Sequence, residues 1–236
     1  EQEWAGTGHR LSIVRPAIIE SSLRYPYPGW IDGFKVADPL IMAYAKGALP
    51  EFPGLPDSVL DVIPVDYVVN VILALARLGH QGPAASDVGY YQVCSGASNP
   101  LPFHRMYGEV REYFLAHPLE DDKGRPIVVP TWKFPANNAA ERSLQLKERL
   151  SALGSKIGAA LPATKATREW ASSLSRMERG LGSLRTYVDL YQSYTRTEML
   201  FDDQQTRALG AALPADTPVD QTFDVRDIDW GHYWQN

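Results

Sequence analysis

Two short groupings in this sequence have the residue types to frame a reaction. They are Arg15-Pro16, where an apolar run stops at a charge, and Pro26-Tyr27-Pro28-Gly29-Trp30. Arg15 brings a permanent cation, and Pro16 has no backbone N–H, so it marks a strand's end or edge. In parallel α/β sheets ligands bind beyond the carboxyl ends of strands. A turn there faces the crevice, with Pro16 and the backbone of Ala17 and Ile18 along its lip. The plainer alternative is that Pro16 only stops the strand while Arg15 makes a structural ion pair. In the second grouping two prolines stiffen the loop, Gly29 permits an unusual backbone angle, and Trp30 offers a broad apolar face. That suits a wall beside a long apolar ligand, and equally a surface loop pinned by one tryptophan. Asp66, following Ile63-Pro64-Val65, is read as the cap of a helix and at most as a residue positioning the rim of a site.

The other polar residues assemble no acid, base, nucleophile or metal cage. His9, His80, His104, His117 and His232 are scattered, with no H-E-x-x-H pairing. Asp202-Asp203 and Asp224, Asp227 and Asp229 read as solvated acidic surface. Ser21-Ser22 has no G-x-S-x-G context, Ser95-Gly96-Ala97-Ser98 lacks the lysine of a phosphate loop, and no G-x-G-x-x-G occurs. The single Cys94 excludes an internal disulfide and fits a reducing, cytoplasmic setting. A net charge of −5 argues against nucleic acid as a partner. No apolar run approaches the roughly 20 residues of a membrane span. The opening EQEWAGTGHR has neither a basic start nor an apolar stretch, and it reads as the tail of a helix cut from a longer protein.

The elements that must hold these groups can be read from pattern. At 236 residues and 44% apolar content the chain can bury a sizeable core. Residues 10–19 predict a buried strand and residues 37–46 a helix. Residues 49–62, broken by Pro50, Pro53, Gly54 and Pro56, predict loop with a short strand. Val62-Ile63 ends a strand, and a helix runs from Asp66 to Gly79. It is apolar nearly all round and is therefore expected to be enclosed on every side. Residues 90–94 predict another strand. Leu101-Pro102 then leads a helix with Phe103, Met106, Val110, Tyr113 and Phe114 on one side. Strands alternating with helices indicate a parallel α/β sheet. From about residue 120 proline and helical patterns take over, with helices expected at 137–160, 165–179, 183–200 and near 204–212. The sequence thus divides into 1–120 and a mainly helical 121–236. Between 137 and 180 eight basic side chains face four acidic ones. With Leu144, Leu150, Leu153, Ile157 and Leu161 this makes either an interfacial helix for peripheral contact with anionic lipid or an amphipathic helix with a solvated basic face.

Taken in order, LSIVRPAIIESSL, PGWIDG, VLDVIPVDYVVNVILALA and YYQVCSGASNP, with the far stretch from YVDLYQSYTRTEMLF to FDVRDIDWGHYWQN, resemble the fatty acyl-CoA reductases, the group that includes the male-sterility proteins. Residues 121–180 carry no diagnostic motif. The resemblance implies an extended short-chain reductase: the C-terminal half of a Rossmann-type sheet followed by a helical domain. It implies NADPH-dependent reduction of a long-chain acyl thioester, acyl-CoA or acyl-carrier, to an aldehyde or an alcohol. It puts Arg15, Pro16, Ala17 and Ile18 beside the nicotinamide cofactor, and Pro28, Gly29 and Trp30 on the acyl side.

In that family a Tyr within Y-x-x-x-K protonates the carbonyl oxygen, and the Lys lowers its pKa. Tyr25, Tyr27 and Tyr44 do not qualify, since Gly29, Ile31 and Ala48 follow four residues on. The expectation is that the glycine-rich loop and the Tyr and Lys lie in a preceding half of the same protein. This chain then supplies no catalytic residue and does not turn over alone. Two other readings stay open. One is a different extended reductase or epimerase acting on nucleotide sugars, whose C-terminal domain would be smaller and mixed α/β. The other is a non-catalytic lipid- or partner-binding module.

Overall fold

The computed structural model describes residues 10–33, 37–47, 55–79, 88–133 and 199–235. The expected helices at 137–160 and 165–179, nearly all of 183–200 and the basic stretch 137–180 lie outside the described residues. The described elements, in chain order, are β1 (Leu11–Pro16), β2 (Ile18–Glu20), α1 (Asp38–Ala45), β3 (Val59–Leu60), β4 (Val62–Pro64), α2 (Val65–Leu78), β5 (Val88–Val93), β6 (Leu101–Pro102), α3 (Phe103–Ala116), α4 (Gln204–Ala211) and α5 (Trp230–Trp234). The fold is α/β with parallel strand pairs, as the alternation of elements predicts. The chain forms two compact units, one of Glu1–Ala37, Val59–Tyr113 and Glu198–Asn236, the other of Asp38–Ser58 and Phe114–Thr197. The sequence boundary near residue 120 falls inside the second unit, and residues 199–235 share the first unit with the strands.

In the first unit the stretch from Leu11 to Glu20 is the organising strand. β1 pairs in parallel with β5, from Leu11 opposite Val88 to Pro16 opposite Val93. β2 pairs in parallel with β4, from Ile18 opposite Val62 to Glu20 opposite Pro64. The switch of partner happens at two adjacent amides: Ala17 N–H donates to the Val93 carbonyl at 2.9 Å and Ile18 N–H to the Asp61 carbonyl at 3.0 Å. Successive amides of an extended strand point to opposite sides, so one continuous strand serves two neighbours. Pro16 is therefore the pivot between two pairings rather than the end of the extended chain. The missing N–H is tolerated because, by the same alternation, it would point to the β4 side before that pairing begins. A short antiparallel pair, β3 with β6, completes the described strands.

α2 follows β4 without a loop, and Gly79 ends it at φ 72°, a left-handed angle that glycine adopts without strain. Its buried face carries Asp66, Tyr67, Val68, Asn70, Val71, Ala74 and Leu75. The expected enclosure on every side does not hold: Val69, Ile72 and Leu73 are 47%, 50% and 59% exposed. Composition alone could not show this, because the outer stripe is as apolar as the inner one. On α3 the buried side is Phe103, Met106, Tyr107, Val110 and Phe114, with Tyr113 turned outward. Tyr107 and Tyr113 are both compatible with the helical spacing, and the sequence reading chose the wrong one.

The C-terminal segment returns to the sheet and is clamped there by side chains. Asn99 Nδ2 donates to the carbonyls of Val225 and Ile228 at 2.8 and 2.9 Å, and the fully buried Trp230 returns an indole N–H to the Asn99 carbonyl at 3.1 Å. Asn70 Nδ2 donates to the carbonyls of Asp220 and Thr222. Thr206 donates to the Gln92 carbonyl at 2.6 Å, tying α4 to β5. Residues 219–230 have little regular structure of their own, so these side chains satisfy carbonyls that no ladder reaches.

In the second unit Tyr44 of α1 is fully buried, sends its hydroxyl to the Pro130 carbonyl at 2.8 Å, and stacks edge-on with Trp132 at 4.9 Å. The polar break at 120–124 is a tight turn, closed by an ion pair in which Arg125 Nε and Nη2 both donate to Asp121 Oδ2.

Replacing Asn99 with Ala removes the side-chain donors to Val225 and Ile228 and leaves the Val225 carbonyl only its bond from Ile228 N–H, at a cost of about 1–3 kcal/mol. Urea denaturation should register that loss, whereas Asn99→Asp should lose at least as much because it faces the same carbonyls with acceptors. An unchanged midpoint for both would mean that the C-terminal segment is not held through Asn99.

Candidate functional site

The carboxyl ends of the parallel strands bring three turns to one edge of the first unit: 21–30 after β2, the start of α2 after β4, and 94–99 after β5. Each turn is fixed by a side chain from a neighbour. Tyr233 of α5 donates its hydroxyl to the Ser21 carbonyl at 2.7 Å. Asp61, between β3 and β4, accepts from the amides of Ser95 and Gly96.

The loop from Ser22 to Trp30 is closed on itself through Ser22. Its amide donates to the Trp30 carbonyl at 2.8 Å, its carbonyl accepts from Gly29 N–H at 2.9 Å, and its hydroxyl donates to the Tyr27 carbonyl at 2.6 Å. Gly29 sits at φ 78°, where a side chain would strain the backbone. The Tyr25–Pro26 bond is cis.

Asp66 then anchors the loop from outside. It is buried, and its Oδ1 accepts from Leu23 N–H at 2.9 Å while Oδ2 accepts from Arg24 N–H at 2.9 Å and Tyr25 N–H at 3.3 Å. Three successive amides thus converge on one carboxylate, a strong charge-assisted arrangement. The expectation that Asp66 caps its own helix is corrected. Pro64 occupies the N-cap position without a side-chain bond, and Asp66 lies inside the first turn. Its carboxylate is drawn away to amides some forty residues earlier in the chain, a partnership no local spacing reveals.

Arg15, Pro16, Ala17 and Ile18 stand on the β1–β2 strand beside β5. Arg15 is exposed and holds its guanidinium 4.6 Å over the Tyr90 ring, so it makes a cation–π contact in the sheet rather than a loose cation. The amides of Ala17 and Ile18 are engaged by the sheet, which leaves no free donor there for a ligand. Pro28, Gly29 and Trp30 lie on the loop that follows this strand, with Pro28 exposed and Trp30 half-buried. The two groups therefore belong to one strand-and-loop run, joined through Ser22. The sequence reading weighs Tyr25 and Tyr27 against the catalytic tyrosine and leaves them off the acyl side, yet they are 66% and 61% exposed on the same loop. Their signal was the Tyr-Pro-Tyr-Pro repeat itself: two prolines hold the flanking rings outward.

Tyr67, Tyr233 and Cys94 are set against acid–base work near neutral pH. Burial pushes the Tyr67 phenol up to about 12, and its hydroxyl is occupied by Arg24 and the Asp224 carbonyl. Burial also raises the Tyr233 phenol, and it pushes the Cys94 thiol up to about 12 with the help of nearby Asp61. Such a thiol stays protonated and is not a nucleophile. Among the described residues no three His, Cys, Asp or Glu side chains gather as a metal site, and no helix is long and apolar enough to cross a membrane.

Replacing Asp66 with Ala should free the amides of residues 23–25. Their hydrogen-exchange protection is expected to fall on the order of 100-fold, the equivalent of about 3 kcal/mol, while amides in β5 keep theirs. Retained protection at 23–25 would show that Ser22 alone holds the loop.

Comparison with known proteins gives this geometry a context. Residues 2–72 match the family model described as male sterility protein. Over 95% of its length the chain is 33% identical to fatty acyl-CoA reductase 2, chloroplastic, of Arabidopsis thaliana, covering 36% of that protein. It is 33% identical to fatty acyl-CoA reductase 1 of the same plant over 96% of the chain and 46% of the relative. It is 28% identical to human fatty acyl-CoA reductase 2 over 96% of the chain and 41% of the relative. The chain therefore spans less than half the length of these relatives. It is similar to the fatty acyl-CoA reductases along nearly its whole length, and its residues 2–72 match the male sterility protein family.

Proposed function

We propose that this chain is the substrate-framing part of an NADPH-dependent reductase acting on long-chain acyl thioesters, acyl-CoA or acyl-carrier, and yielding an aldehyde or alcohol. The observation that carries the reading is the pairing of 33% identity to a fatty acyl-CoA reductase along 95% of the chain with an aromatic loop held at the carboxyl end of a parallel sheet. In this reading Pro16 and the side chains of Ala17 and Ile18 give the nicotinamide an apolar lip, and Arg15, steadied on Tyr90, supplies positive charge beside an anionic cofactor. The absence of free amides on Ala17 and Ile18 suits a ring stacked against the strand rather than a phosphate cradled by it. Pro28, Gly29 and Trp30, with Tyr25 and Tyr27, form the wall for the acyl chain.

In this reading Tyr67, Tyr233 and Cys94 are not the proton donor to the developing oxyanion, because they hold their protons too tightly. We assign that step, and the glycine-rich dinucleotide loop, to sequence outside the chain. The described residues shape, orient and dry the site.

A polypeptide extended to the length of its relatives should oxidise NADPH when given a long-chain acyl-CoA, and the 236-residue chain alone should not. Trp30→Ala in the extended protein should lower kcat/KM for a long-chain acyl-CoA about tenfold, the worth of roughly 1.4 kcal/mol of apolar contact, and leave a short-chain substrate nearly unaffected. NADPH oxidation by the isolated chain would overturn the placement of catalysis. Equal losses for both substrates would remove Trp30 from the acyl side.

A further inference from the structure

Asp61 and Asp203 are two buried carboxylates of the first unit, each with one oxygen well bonded and one bare. Asp61 Oδ1 accepts from Ser95 N–H at 2.7 Å, from Gly96 N–H at 3.2 Å and from the Ser95 hydroxyl at 3.4 Å. Asp203 Oδ1 accepts from Arg207 Nε at 3.0 Å. The Oδ2 atom of each is buried without a partner, in residues that are 9% and 2% exposed. Asp66 shows the contrast: both of its oxygens are bonded to amides.

The bare oxygen of Asp61 has a definite surrounding. A methyl group added to Gly96 would stand 3.0 Å from it and 3.2 Å from Leu200 Cδ2. Oδ2 therefore lies at the seam between the 94–96 turn and the segment that runs into α4. Cys94 closes the same seam, with Sγ 3.5 Å from the Phe201 carbonyl. The charged and titratable groups facing Asp61 across it are Asp203 with its partner Arg207, then Asp202 and Cys94. Of the nearby cations, Arg207 is committed to Asp203, and Arg226, which also feels Asp203, is paired with Asp224. With both carboxylates ionised, the seam would hold an excess negative charge and no donor for Asp61 Oδ2, a strongly disfavoured arrangement in a buried site.

We propose that Asp61 is held as the neutral acid, with its proton on Oδ2, and that this neutrality lets the 94–96 turn pack against the 200–203 segment. Asp203 is the carboxylate paired with Arg207. Loss of the proton puts a second negative charge at the seam and loosens the C-terminal segment from the strand ends, making the latch sensitive to pH. Burial pushes the Asp61 carboxyl above its ordinary 3.8, against the lowering effect of the Ser95 and Gly96 donors, and the nearby Asp203 adds to the rise. A carboxyl whose pKa is raised on folding contributes stability that is fully present below its ordinary pKa. That contribution is lost as pH rises through the folded value. The seam is thus tightest in acid and loosens on the alkaline side. This inference does not depend on the reductase reading.

Carbon-13 carboxyl NMR of the 236-residue chain tests it. The Asp61 resonance, assigned by correlation to its own backbone, should titrate above the ordinary carboxylate value of 3.8. Thermal stability should decline through the same interval. Asp61→Asn keeps an oxygen for Ser95 and Gly96 and replaces the proton with amide donors, so its stability should not decline there. An Asp61 carboxyl that titrates at or below 3.8 would overturn the proposal, as would the same alkaline decline in the Asn variant. Should that variant fail to fold, the resonance of the unsubstituted chain decides alone.

Discussion

The amides of Ala17 and Ile18 point to opposite sides of one extended strand, and the first unit is arranged around that fact. One amide holds β5, the other the start of β4. The two parallel pairings are staggered along the strand, β5 beside its first half and β4 beside its second. Pro16 stands at the junction, where its lack of an N–H does no harm. A residue with a pairing amide would gain nothing there. A proline moved one position on, to residue 17, would break the bond to Val93.

The stagger determines which turns meet at the carboxyl edge and therefore which side chains can fasten them. β4 leads straight into α2, so Asp66 is carried to the loop that leaves β2. β5 ends early relative to β4, so its turn lies within reach of Asp61. Two aspartates from one stretch of chain each hold a separate turn through backbone amides. They differ in one respect with chemical consequences: Asp66 has both oxygens satisfied, and Asp61 has one. The first makes a rigid loop, the second a site for a proton. Rigidity matters for the proposed role, because a loop that presents Tyr25, Tyr27 and Trp30 in one arrangement loses little conformational entropy when an acyl chain lies against it.

Much of the local structure was legible from residue pattern. The run from Val59 to Gly79 announces strand then helix, Gly79 marks the stop, and Leu213-Pro214 closes α4 just where the helical pattern fails. Periodicity encodes these features because their partners are near in sequence. It could not encode the partners of Asp66, Asn99 or Trp230, which lie from about forty to 130 residues away. Nor could it tell which apolar stripe of α2 faces the core, since Val69, Ile72 and Leu73 look no different from Val68, Val71 and Leu75. The proposed site residues come from ordered resemblance rather than local chemistry. A search for acids, bases and nucleophiles in this stretch meets groups whose protons are locked by burial.

The central claim is that the loop from Ser22 to Trp30 borders the acyl chain. Photocrosslinking reads this directly, using a long-chain acyl-CoA with a diazirine on its alkyl tail, the protein extended to its relatives' length, and mass spectrometry of the labelled peptides. The account predicts labels on Tyr25, Tyr27 or Trp30. Efficient labelling elsewhere in the protein with none between residues 22 and 30 would contradict it.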